Sequence, residues 1–518
     1  MSLSTSTLPR ELYLAGQVQQ LDRVAIDRFS VPGFQLMQRA GAACFEAQQQ
    51  YWPETRRLLV FAGGGNNGGD AYIVAGLAKE QGMHVHVLSL SDPEKLTGDA
   101  SLAWQWAVEK QVDITAFQDY THSGSGEAEH TLLVDGIFGT GLDREVSGDH
   151  AQAIAYINEC ESPVLAIDIP SGLNANTGMP LGEAVAADCT VTFIGMKQGL
   201  LTGLAGNHVG QLLFSDLDIP SEVYTHADAP QPDAIHIDIH SAAKHLSDRR
   251  PASHKGDYGH VLVIGGDYGF GGAALLAAEA AQRTGAGLVS VLTRSAHRAG
   301  MLARRPELMV QGTEDEAANP EALIAKATVI VIGPGLGTGE WSRQQLQRAL
   351  SAQLSRGVPL IVDADALRLI AERHIDKTQI KRDNWILTPH PGEAARLLDC
   401  ENVDIARDRF AAVRAMQQRW GGCCLLKGHG SLIASKDESA GVFLCSEGNA
   451  GMASGGMGDV LSGVIGGLVA QGFSLGRALR AGVCIHGEAA DLAAESGQRG
   501  TIATDLLPYI RQLVNARQ

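Results

Sequence analysis

The sequence predicts an α/β protein made of two successive doubly wound domains. Short apolar strands alternate with helical segments, and polar, glycine-bearing loops follow the strands. The alternation is interrupted near residue 225, and 518 residues exceed one ordinary domain. The 61 glycines and the low aromatic content, 5%, suit many tight strand-to-helix turns.

The composition narrows the class of function. A hydrophobic content of 45% with 19% charged residues is ordinary for a globular enzyme. The net charge of -17 argues against nonspecific binding to nucleic acid or anionic membranes, whereas a nucleotide ligand needs only local donors. No run reaches the length of a membrane span, and residues 1–14 lack the apolar core of a signal peptide. We therefore expect a cytoplasmic protein.

The eight cysteines are scattered and form no C-x-x-C pair. Their spacing indicates neither a structural zinc motif nor a disulfide framework. Cys423 and Cys424 are adjacent within an apolar strand pattern, so we expect reduced thiols in the core.

The first half opens with helical segments and then a βαβ unit. Residues 21–50 are predicted to be helical with a turn at 31–33, because apolar residues at 36, 37, 40 and 44 share one face. The next predicted elements are a strand at 57–62, a glycine-rich loop at 63–70, a helix at 71–81 and a strand at 84–90.

The loop at 63–70 has two features. Its glycines match G-x-G-x-x-G, which alone suggests a dinucleotide site with Asp92 as the acid after the second strand. Asn66, Asn67 and Asp70 are more distinctive, because amides and a carboxylate at a helix start can bind ribose, phosphate or a hard cation. An ordinary Asn-Asn-Gly-Gly turn is the structural alternative.

Two carboxylates follow predicted parallel strands. Asp135 ends the strand at 131–135 and Asp168 ends the strand at 164–168, and a glycine-bearing loop follows each. Ligands bind at the carboxyl ends of strands in open parallel sheets. A single aspartate there is often a cap, but two on separate strands indicate a binding site.

Four separated stretches resemble the NAD(P)HX epimerase family. In order they are Leu-Met-Gln-Arg-Ala-Gly at 36–41, Gly-Gly-Asn-Asn-Gly-Gly-Asp at 64–70, Val-Asp-Gly-Ile-Phe-Gly-Thr-Gly-Leu at 134–142 and Asp-Ile-Pro-Ser-Gly-Leu at 168–173. The resemblance covers about residues 12–224. It implies a Rossmann-like domain that interconverts the R and S epimers of hydrated NADH and NADPH.

The resemblance also implies roles for residues. It implies K⁺ near Asn67, Asp135 and Ser171, and Asp168 as the proton-transferring base. The implied substrate contacts are Asn66, Asn67, Gly68, Gly69, Asp70, Gly139, Thr140, Gly141, Leu142, Asp143, Arg144, Glu145 and Asp168.

A polar stretch at 225–237, with prolines at 230 and 232, is predicted to be a linker. The predicted domains are therefore residues 1–224 and 238–518. The second half repeats apolar strand, glycine loop and helix. Its strands are predicted at 261–264, 287–293, 328–332, 359–363, 385–388 and 423–427, with a helix of small residues at 273–284.

A glycine-rich stretch late in the chain, 451–461, carries the main chemical prediction of this half. Four glycines lie between Gly451 and Gly458, Asp459 follows, and a helix is predicted at 460–470. Glycine N–H groups and a helix N-terminus can hold a phosphate beside a carboxylate base. The alternative is a glycine-rich turn with Asp459 as an N-cap. Since there is no G-x-x-x-x-G-K-[ST], phosphate binding must use this stretch.

Six stretches resemble the ADP/ATP-dependent NAD(P)HX dehydratase family, which has a ribokinase-like fold. They are Ser-His-Lys-Gly at 253–256, Gly-Pro-Gly-Leu-Gly at 333–337, Asp-Ala-Asp-Ala-Leu at 363–367, Thr-Pro-His-Pro-Gly-Glu at 388–393, Lys-Gly at 427–428 and residues 449–461. The resemblance spans about residues 238–513. Ser454 stands where threonine is expected, and both residues carry a hydroxyl.

This second resemblance implies Asp459 as the catalytic base and an adenine nucleotide as co-substrate, with Mg²⁺. The implied nucleotide contacts are Lys427, Gly428, His429, Gly430, Ser431 and Gly458. The implied contacts with the hydrated nicotinamide are Ala273, Gly335, His390 and Asp459. Three structural alternatives stay open: His390 as a turn residue, Lys427 as a solvated charge, and Glu393 as a helix cap instead of a metal ligand.

Together the resemblances imply a bifunctional repair enzyme for NADHX and NADPHX, with ADP the favoured donor over ATP. Small-residue helices leave faces suited to a homo-oligomer. The enzymatic alternative is a kinase of a vitamin-type alcohol with a helper N-terminal domain. A catalytically silent N-terminal binding module is the third possibility.

Overall fold

The computed structural model describes residues 8–120, 130–244, 246, 248–372, 381–436 and 441–515. The first seven residues of the stretch considered for a signal peptide lie outside this part. The chain divides into two compact units, Met1–Ala234 and Ile235–Gln518. The division falls inside the predicted linker at 225–237, whose last four residues form a strand.

The first unit contains a parallel sheet of seven strands. The strands of the unit, of which β1 and β8 lie outside this sheet, are β1 Glu11–Tyr13, β2 Arg57–Ala62, β3 His84–Ser89, β4 Asp113–Ala116, β5 Thr131–Gly136, β6 Val164–Ile167, β7 Cys189–Phe193, β8 Met196–Lys197 and β9 Gln211–Ser215. Its helices are α1 Ala15–Phe29, α2 Gly33–Tyr51, α3 Asn66–Glu80, α4 Gly98–Glu109 and α5 Gly148–Glu159. The strand order is β4-β3-β2-β5-β6-β7-β9, and β1 pairs with β8.

The strand order reverses direction between β2 and β5, which pair in parallel. Such a reversal opens a crevice at the carboxyl ends of the two strands, where ligands bind in doubly wound sheets. Alternate residues of β2 face opposite sides of the sheet. Leu58 and Val60 join a core with α1–α4, whereas Leu59 and Phe61 join a core with α5.

Helix α3 begins at Asn66, five residues before its predicted start. The Asn-Asn-Gly-Gly-Asp stretch is therefore the first turn of a helix and not a loop. Close packing overrides the low helix propensity of glycine here. A Cβ on Gly68 would lie 2.0 Å from the Gly63 carbonyl oxygen, and one on Gly69 would lie 2.6 Å from Met37.

The second unit is a larger α/β structure. Its strands are β10 Ala234–Ile237, which spans the division, β11 His260–Ile264, β12 Leu288–Thr293, β13 Met309–Gly312, β14 Val329–Ile332, β15 Leu360–Val362, β16 Trp385–Leu387, β17 Cys423–Leu426, β18 Ser431–Ser435 and β19 Val442–Cys445. Its helices are α6 Ile239–Ala243, α7 Gly271–Thr284, α8 Arg298–Arg304, α9 Pro320–Lys326, α10 Glu340–Arg356, α11 Ala364–Ala371, α12 Pro391–Leu398, α13 Asn402–Arg407, α14 Arg409–Trp420, α15 Met457–Ala470, α16 Leu475–Ala493 and α17 Leu506–Leu513.

Strands β13-β12-β11-β14-β15-β16-β17 pair in parallel in that order, and β17-β18-β19 continue as antiparallel neighbours. Helix α15 packs closely on the small-residue helix α7. A Cβ on Gly463 would lie 2.1 Å from the Ala277 carbonyl oxygen. Among the described residues, no helix combines the length and apolar character that a membrane span needs.

Candidate active sites

A cavity of about 780 Å³ opens at the crevice between β2 and β5 in the first unit. This volume is in the range of small-molecule sites. All of the predicted substrate contacts of this unit line the cavity except Gly68, Gly69 and Glu145. The two glycines are buried inside α3 and Glu145 is exposed, so a direct contact at these three positions stays a prediction.

Asp168 follows β6 and faces this cavity. Its backbone has φ of 65°, a strained conformation for a residue with a side chain, and its N–H donates to the Val191 carbonyl at 2.8 Å. Its carboxylate accepts hydrogen bonds from the Lys197 ammonium and from the Thr192 hydroxyl, the latter at 3.2 Å. The predicted base is therefore held in a fixed orientation.

Lys197 is a site residue that the sequence analysis did not identify. Its side chain is 1% exposed and also donates to the Thr192 hydroxyl and the Phe193 carbonyl, both at 3.0 Å. A buried ammonium is costly unless it is paired, and Asp168 supplies the counter-charge. The available signal was a lysine within an otherwise apolar stretch directly after β7.

Two more carboxyl groups line the same cavity, Asp22 and Asp70. Burial raises the pKa of Asp22 to about 6, and the Lys197 charge partly opposes this. Burial and the Asp168 charge raise the pKa of Asp70 well above its ordinary value. Asp22, Asp70 and Asp168 are thus three of the carboxyl groups that share the cavity with the Lys197 ammonium, and the raised pKa of Asp70 favours its protonated form.

Asp135 and Ser171 are hydrogen-bonded to each other beside this cavity, and Asn67 is linked to Ser171 through the backbone of Phe138. The Ser171 hydroxyl donates to Asp135 Oδ1 at 2.5 Å and the Ser171 N–H to Oδ2 at 2.8 Å. Asn67 Nδ2 donates to the Phe138 carbonyl at 2.9 Å, and Asn67 Oδ1 is buried with no hydrogen-bond partner. Burial raises the pKa of Asp135 to about 6. An unpaired amide oxygen beside carboxylate and hydroxyl oxygens fits a hard cation.

In the second unit, Asp459 lies in the first turn of α15. The helix begins earlier than predicted, with Gly456 as its N-cap at φ of 93°, so the alternative of Asp459 as N-cap is wrong. Burial and the charges of Asp363 and Asp365 raise the pKa of Asp459 to about 7, while Lys427 opposes the shift. A carboxyl group with this pKa is well suited to general base catalysis at neutral pH.

The side chain of Lys427 lies near Asp459 and the first turn of α15. Its ammonium lies 2.9 Å from Asp363 Oδ1 and 4.0 Å from Glu393 Oε2. A Cβ on Gly458 would lie 3.3 Å from Lys427 Nζ. Asp363 is buried and also accepts a hydrogen bond from the Ser462 hydroxyl at 2.7 Å. Lys427 is therefore part of a charged cluster next to Asp459, and the solvated-charge alternative is wrong.

The loop that follows Lys427 is held by a hydrogen bond from a buried arginine. Gly428 and His429 are exposed, and the Ser431 hydroxyl donates to the Gly428 carbonyl at 3.3 Å. Arg409 is 6% exposed, and its guanidinium donates to the Gly430 carbonyl at 3.1 Å. Burial lowers the pKa of Arg409 to about 10. Sequence reasoning missed Arg409, because it lies outside every recognised stretch.

His390 and Glu393 cap helix α12 reciprocally. His390 Nδ1 accepts the Gly392 N–H at 3.0 Å, and Glu393 Oε2 accepts the His390 N–H at 2.8 Å. The capping alternative for Glu393 thus has direct geometric support. The imidazole of His390 remains 55% exposed.

Ala273 and Gly335, the other two predicted nicotinamide contacts, lie together. A Cβ on Gly335, which has φ of 58°, would lie 3.1 Å from Ala273 Cβ. The Gly337 N–H donates to Asp365 Oδ2 at 2.8 Å, and the charge of Asp365 raises the pKa of Asp459. The loop at 333–337 and the base are thus connected through Asp365.

These features define a two-domain α/β enzyme with a separate site in each unit. The family model described as "YjeF-related protein N-terminus" matches residues 33–199, and the one described as "NAD(P)H-hydrate dehydratase" matches residues 261–512.

Two relatives match along nearly the whole chain. The Bifunctional NAD(P)H-hydrate repair enzyme Nnr of Coxiella burnetii is 44% identical over 505 residues, 97% of this chain and 99% of the relative. Its namesake in Escherichia coli strain K12 is 41% identical over 518 residues, 99% of this chain and 96% of the relative. A solved ribokinase-like superfamily protein from Enterococcus faecalis is 29% identical, with a TM-score of 0.50 over 54% of this chain and 94% of that chain. The chain belongs to the family of bifunctional NAD(P)H-hydrate repair enzymes, which confirms the predicted family and fold class.

Proposed function

We propose that this chain repairs hydrated NADH and NADPH in two steps. The first unit interconverts the R and S epimers, and the second unit dehydrates the S epimer with an adenine nucleotide, ADP by preference. The observation that carries the proposal is Asp459, a carboxyl group with a pKa of about 7 in the first turn of a glycine-led helix. Membership of the family supports both activities.

Epimerisation requires that a bond to C6 of the hydrated ring breaks and forms again on the other face. In the proposed step, Asp168 accepts the proton of the C6 hydroxyl as the C6–N1 bond opens. The electron pair of that bond moves to N1 and is delocalised into the ring carboxamide system. Closure on the opposite face returns the proton to oxygen. Lys197 and Thr192 hold the Asp168 carboxylate in place for both proton transfers.

A resident K⁺ is proposed at Asn67, Asp135 and Ser171. The unpaired, buried Asn67 Oδ1 is the observation of this chain that supports it. A cation held there would supply positive charge for an anionic nucleotide beside the cavity. The hydrogen bonds that join Ser171 to Asp135 orient the oxygens that would hold it.

Dehydration needs a better leaving group than hydroxide. We infer that Asp459 takes the proton of the C6 hydroxyl while the oxygen of that hydroxyl attacks the terminal phosphorus of the nucleotide. This attack releases AMP when ADP is the donor. The C6–O bond then breaks with phosphate leaving, assisted by the N1 lone pair. Loss of a proton from C5 restores the double bond of NADH or NADPH. The N–H groups of 455–458 would stabilise charge on the transferred group.

The nucleotide is proposed to lie along Lys427, the loop 428–431 and Gly458. The ammonium of Lys427 already stands at the Asp363–Asp459 cluster, so it can neutralise phosphate charge next to the base. The buried Arg409 guanidinium stabilises this loop by donating a hydrogen bond to the Gly430 carbonyl. Mg²⁺ is expected to enter with the nucleotide and to shield its phosphate charge.

A chemical balance tests the proposal. Purified S-NADHX and ADP are mixed with the chain, and NADH, AMP and phosphate are quantified over time. Equal amounts of all three products are expected, with ATP tested in parallel as donor. Accumulation of a stable phosphorylated alcohol without NADH would contradict dehydration and favour the kinase alternative. Asp459→Asn should abolish turnover, and the exposed Glu340→Gln should leave it unchanged.

A further inference from the structure

We propose that Cys445, Glu447 and Cys484 form a site for a thiophilic divalent cation such as Zn²⁺, separate from both active sites. Each residue offers one ligand atom, and these three atoms lie within 4.8 Å of one another. Neither proposed reaction uses any of the three side chains. No local motif predicts this cluster, because Cys445 and Cys484 are far apart along the chain and no C-x-x-C pair exists.

The spacing of the ligand atoms fits tetrahedral coordination. With metal–sulfur and metal–oxygen bonds of about 2.3 and 2.0–2.2 Å, two tetrahedral ligand atoms stand about 3.5–3.8 Å apart. The Cys445 Sγ lies 3.6 Å from Glu447 Oε2. A cation can therefore enter with only small movements of the side chains, and three protein ligands leave a fourth position for water.

Rigid elements carry the ligands. Cys445 ends β19, Glu447 follows two positions later, and Cys484 lies within α16; both thiols are fully buried. The Ile239 N–H donates to Glu447 Oε1 at 2.6 Å. This bond fixes the carboxyl group and leaves Oε2 next to the Cys445 thiol, as outer hydrogen bonds do in metal sites.

The surrounding charge favours a cation. In the described part of the chain, no lysine or arginine forms an ion pair with Glu447. The Glu488 and Asp238 carboxyl groups add negative charge near Glu447. A bound divalent cation would supply the compensating positive charge for Glu447 and the two thiols.

The site would join β19 to α16 immediately before the glycine-rich stretch. Asn449 Nδ2 donates to Asp491 Oδ1 of the same helix at 2.8 Å, and Asn449 Oδ1 accepts the Gly451 N–H at 2.9 Å. A cation at Cys445 and Cys484 would add a second connection at the start of this stretch.

Cobalt substitution tests the site directly. The full-length chain is reduced, freed of metal with a chelator and titrated with Co²⁺, and the absorption spectrum is followed. We expect one Co²⁺ per chain, a thiolate-to-cobalt charge-transfer band, and tetrahedral visible bands that Zn²⁺ removes. Cys484→Ser should abolish the charge-transfer band. Glu447→Gln should weaken Co²⁺ binding about tenfold or more, which is the usual effect of losing a ligand or a group that supports one. Cys160→Ser, a half-buried thiol of the first unit, is the matched control.

Thermal melting provides a second measurement that does not depend on colour. Zn²⁺ should raise the Tm of the wild-type chain and of Cys160→Ser, because it binds the folded state, but not that of Cys484→Ser. Melting curves without metal establish that each variant is folded. A wild-type chain without a charge-transfer band, or an equal band and Tm shift in Cys484→Ser, would overturn the proposal.

Discussion

The Lys427 ammonium donates a hydrogen bond to Asp363 Oδ1 at 2.9 Å, although the two residues are 64 positions apart. It also lies beside Glu393 and the backbone of Gly458. The ends of β15 and β17 therefore meet at the first turn of α15. Here burial and two carboxylates raise the pKa of Asp459, and Lys427 lowers it.

The dehydration rate should depend on the ionisation of Asp459. A base must be deprotonated, so kcat/KM for S-NADHX should rise with pH through about 7 and level off above it. The measurement is NADH formation at saturating ADP in buffers of constant ionic strength. A profile that is flat across the neutral range would contradict Asp459 as the base.

Removing the Lys427 charge should shift this profile. Lys427→Met eliminates the positive charge that stabilises the Asp459 carboxylate, so the rise in rate should move to higher pH. The maximal rate should also fall, because phosphate charge loses a partner. Lys427→Arg keeps the positive charge, so its pH profile should stay closer to that of the wild type than the profile of Lys427→Met does. Epimerisation by the same variants is the internal control and should not change.

Asp168→Asn should slow epimerisation by about 10²- to 10⁴-fold, the usual contribution of a positioned acid–base group. Lys197→Met should also slow it, because Asp168 loses the ammonium that holds it. Chromatographic exchange between purified R- and S-NADHX measures this rate. Dehydration of pure S-NADHX should remain normal in both variants; a parallel loss there would indicate general misfolding.

Epimerisation should require K⁺, whereas the proposed K⁺ residues should not affect dehydration directly. Asn67→Leu removes the unpaired amide oxygen, so more K⁺ should be needed for half-maximal epimerisation. The rate is measured against KCl with choline chloride keeping the ionic strength constant. Equal K⁺ curves for the wild type and Asn67→Leu would refute this ligand assignment.

Two neighbouring glycines offer a matched test of the helix start. Gly456 has φ of 93°, and a Cβ there would lie 2.6 Å from Leu276 Cδ1. At Gly455 no atom lies within 4 Å of the added Cβ. Gly456→Ala should therefore lower the Tm, with strain of about 1 kcal/mol or more, whereas Gly455→Ala should not. Similar melting of the two variants would disprove the strain argument.

Much of the parallel core was predictable because buried strands are continuous apolar runs between glycine-bearing loops. Strand β2 has its predicted bounds, and β6 ends one residue before the predicted Asp168. The first residues of two helices, Asn66 of α3 and Met457 of α15, were not predicted. Glycine-rich sequence suggests a loop, and only close packing in the folded protein makes glycine necessary within a helix. The antiparallel pairing of β18 with β19 was also missed, although the sequence Asp-Glu-Ser-Ala-Gly between the two apolar runs is a typical turn pattern.

The candidate sites were predictable where residues lie in contiguous stretches. Asp168 and Asp459 follow strands or glycine loops, so the sequence placed them at ligand-binding edges. Asp22, Lys197 and Arg409 reach their sites only through tertiary packing. Their roles depend on burial and pairing across the fold, which local sequence does not encode.

Both proposed activities reside in one chain, and the extent of repair of a mixture of epimers is the decisive measurement. A mixture of R- and S-NADHX is incubated with excess ADP, and the final yield of NADH is measured. Within the time that the wild type needs to repair all of the mixture, Asp168→Asn should convert little more than the initial S fraction, and Asp459→Asn should form no NADH. If the wild type stops at the S fraction, or Asp168→Asn repairs everything at the wild-type rate, the account is wrong.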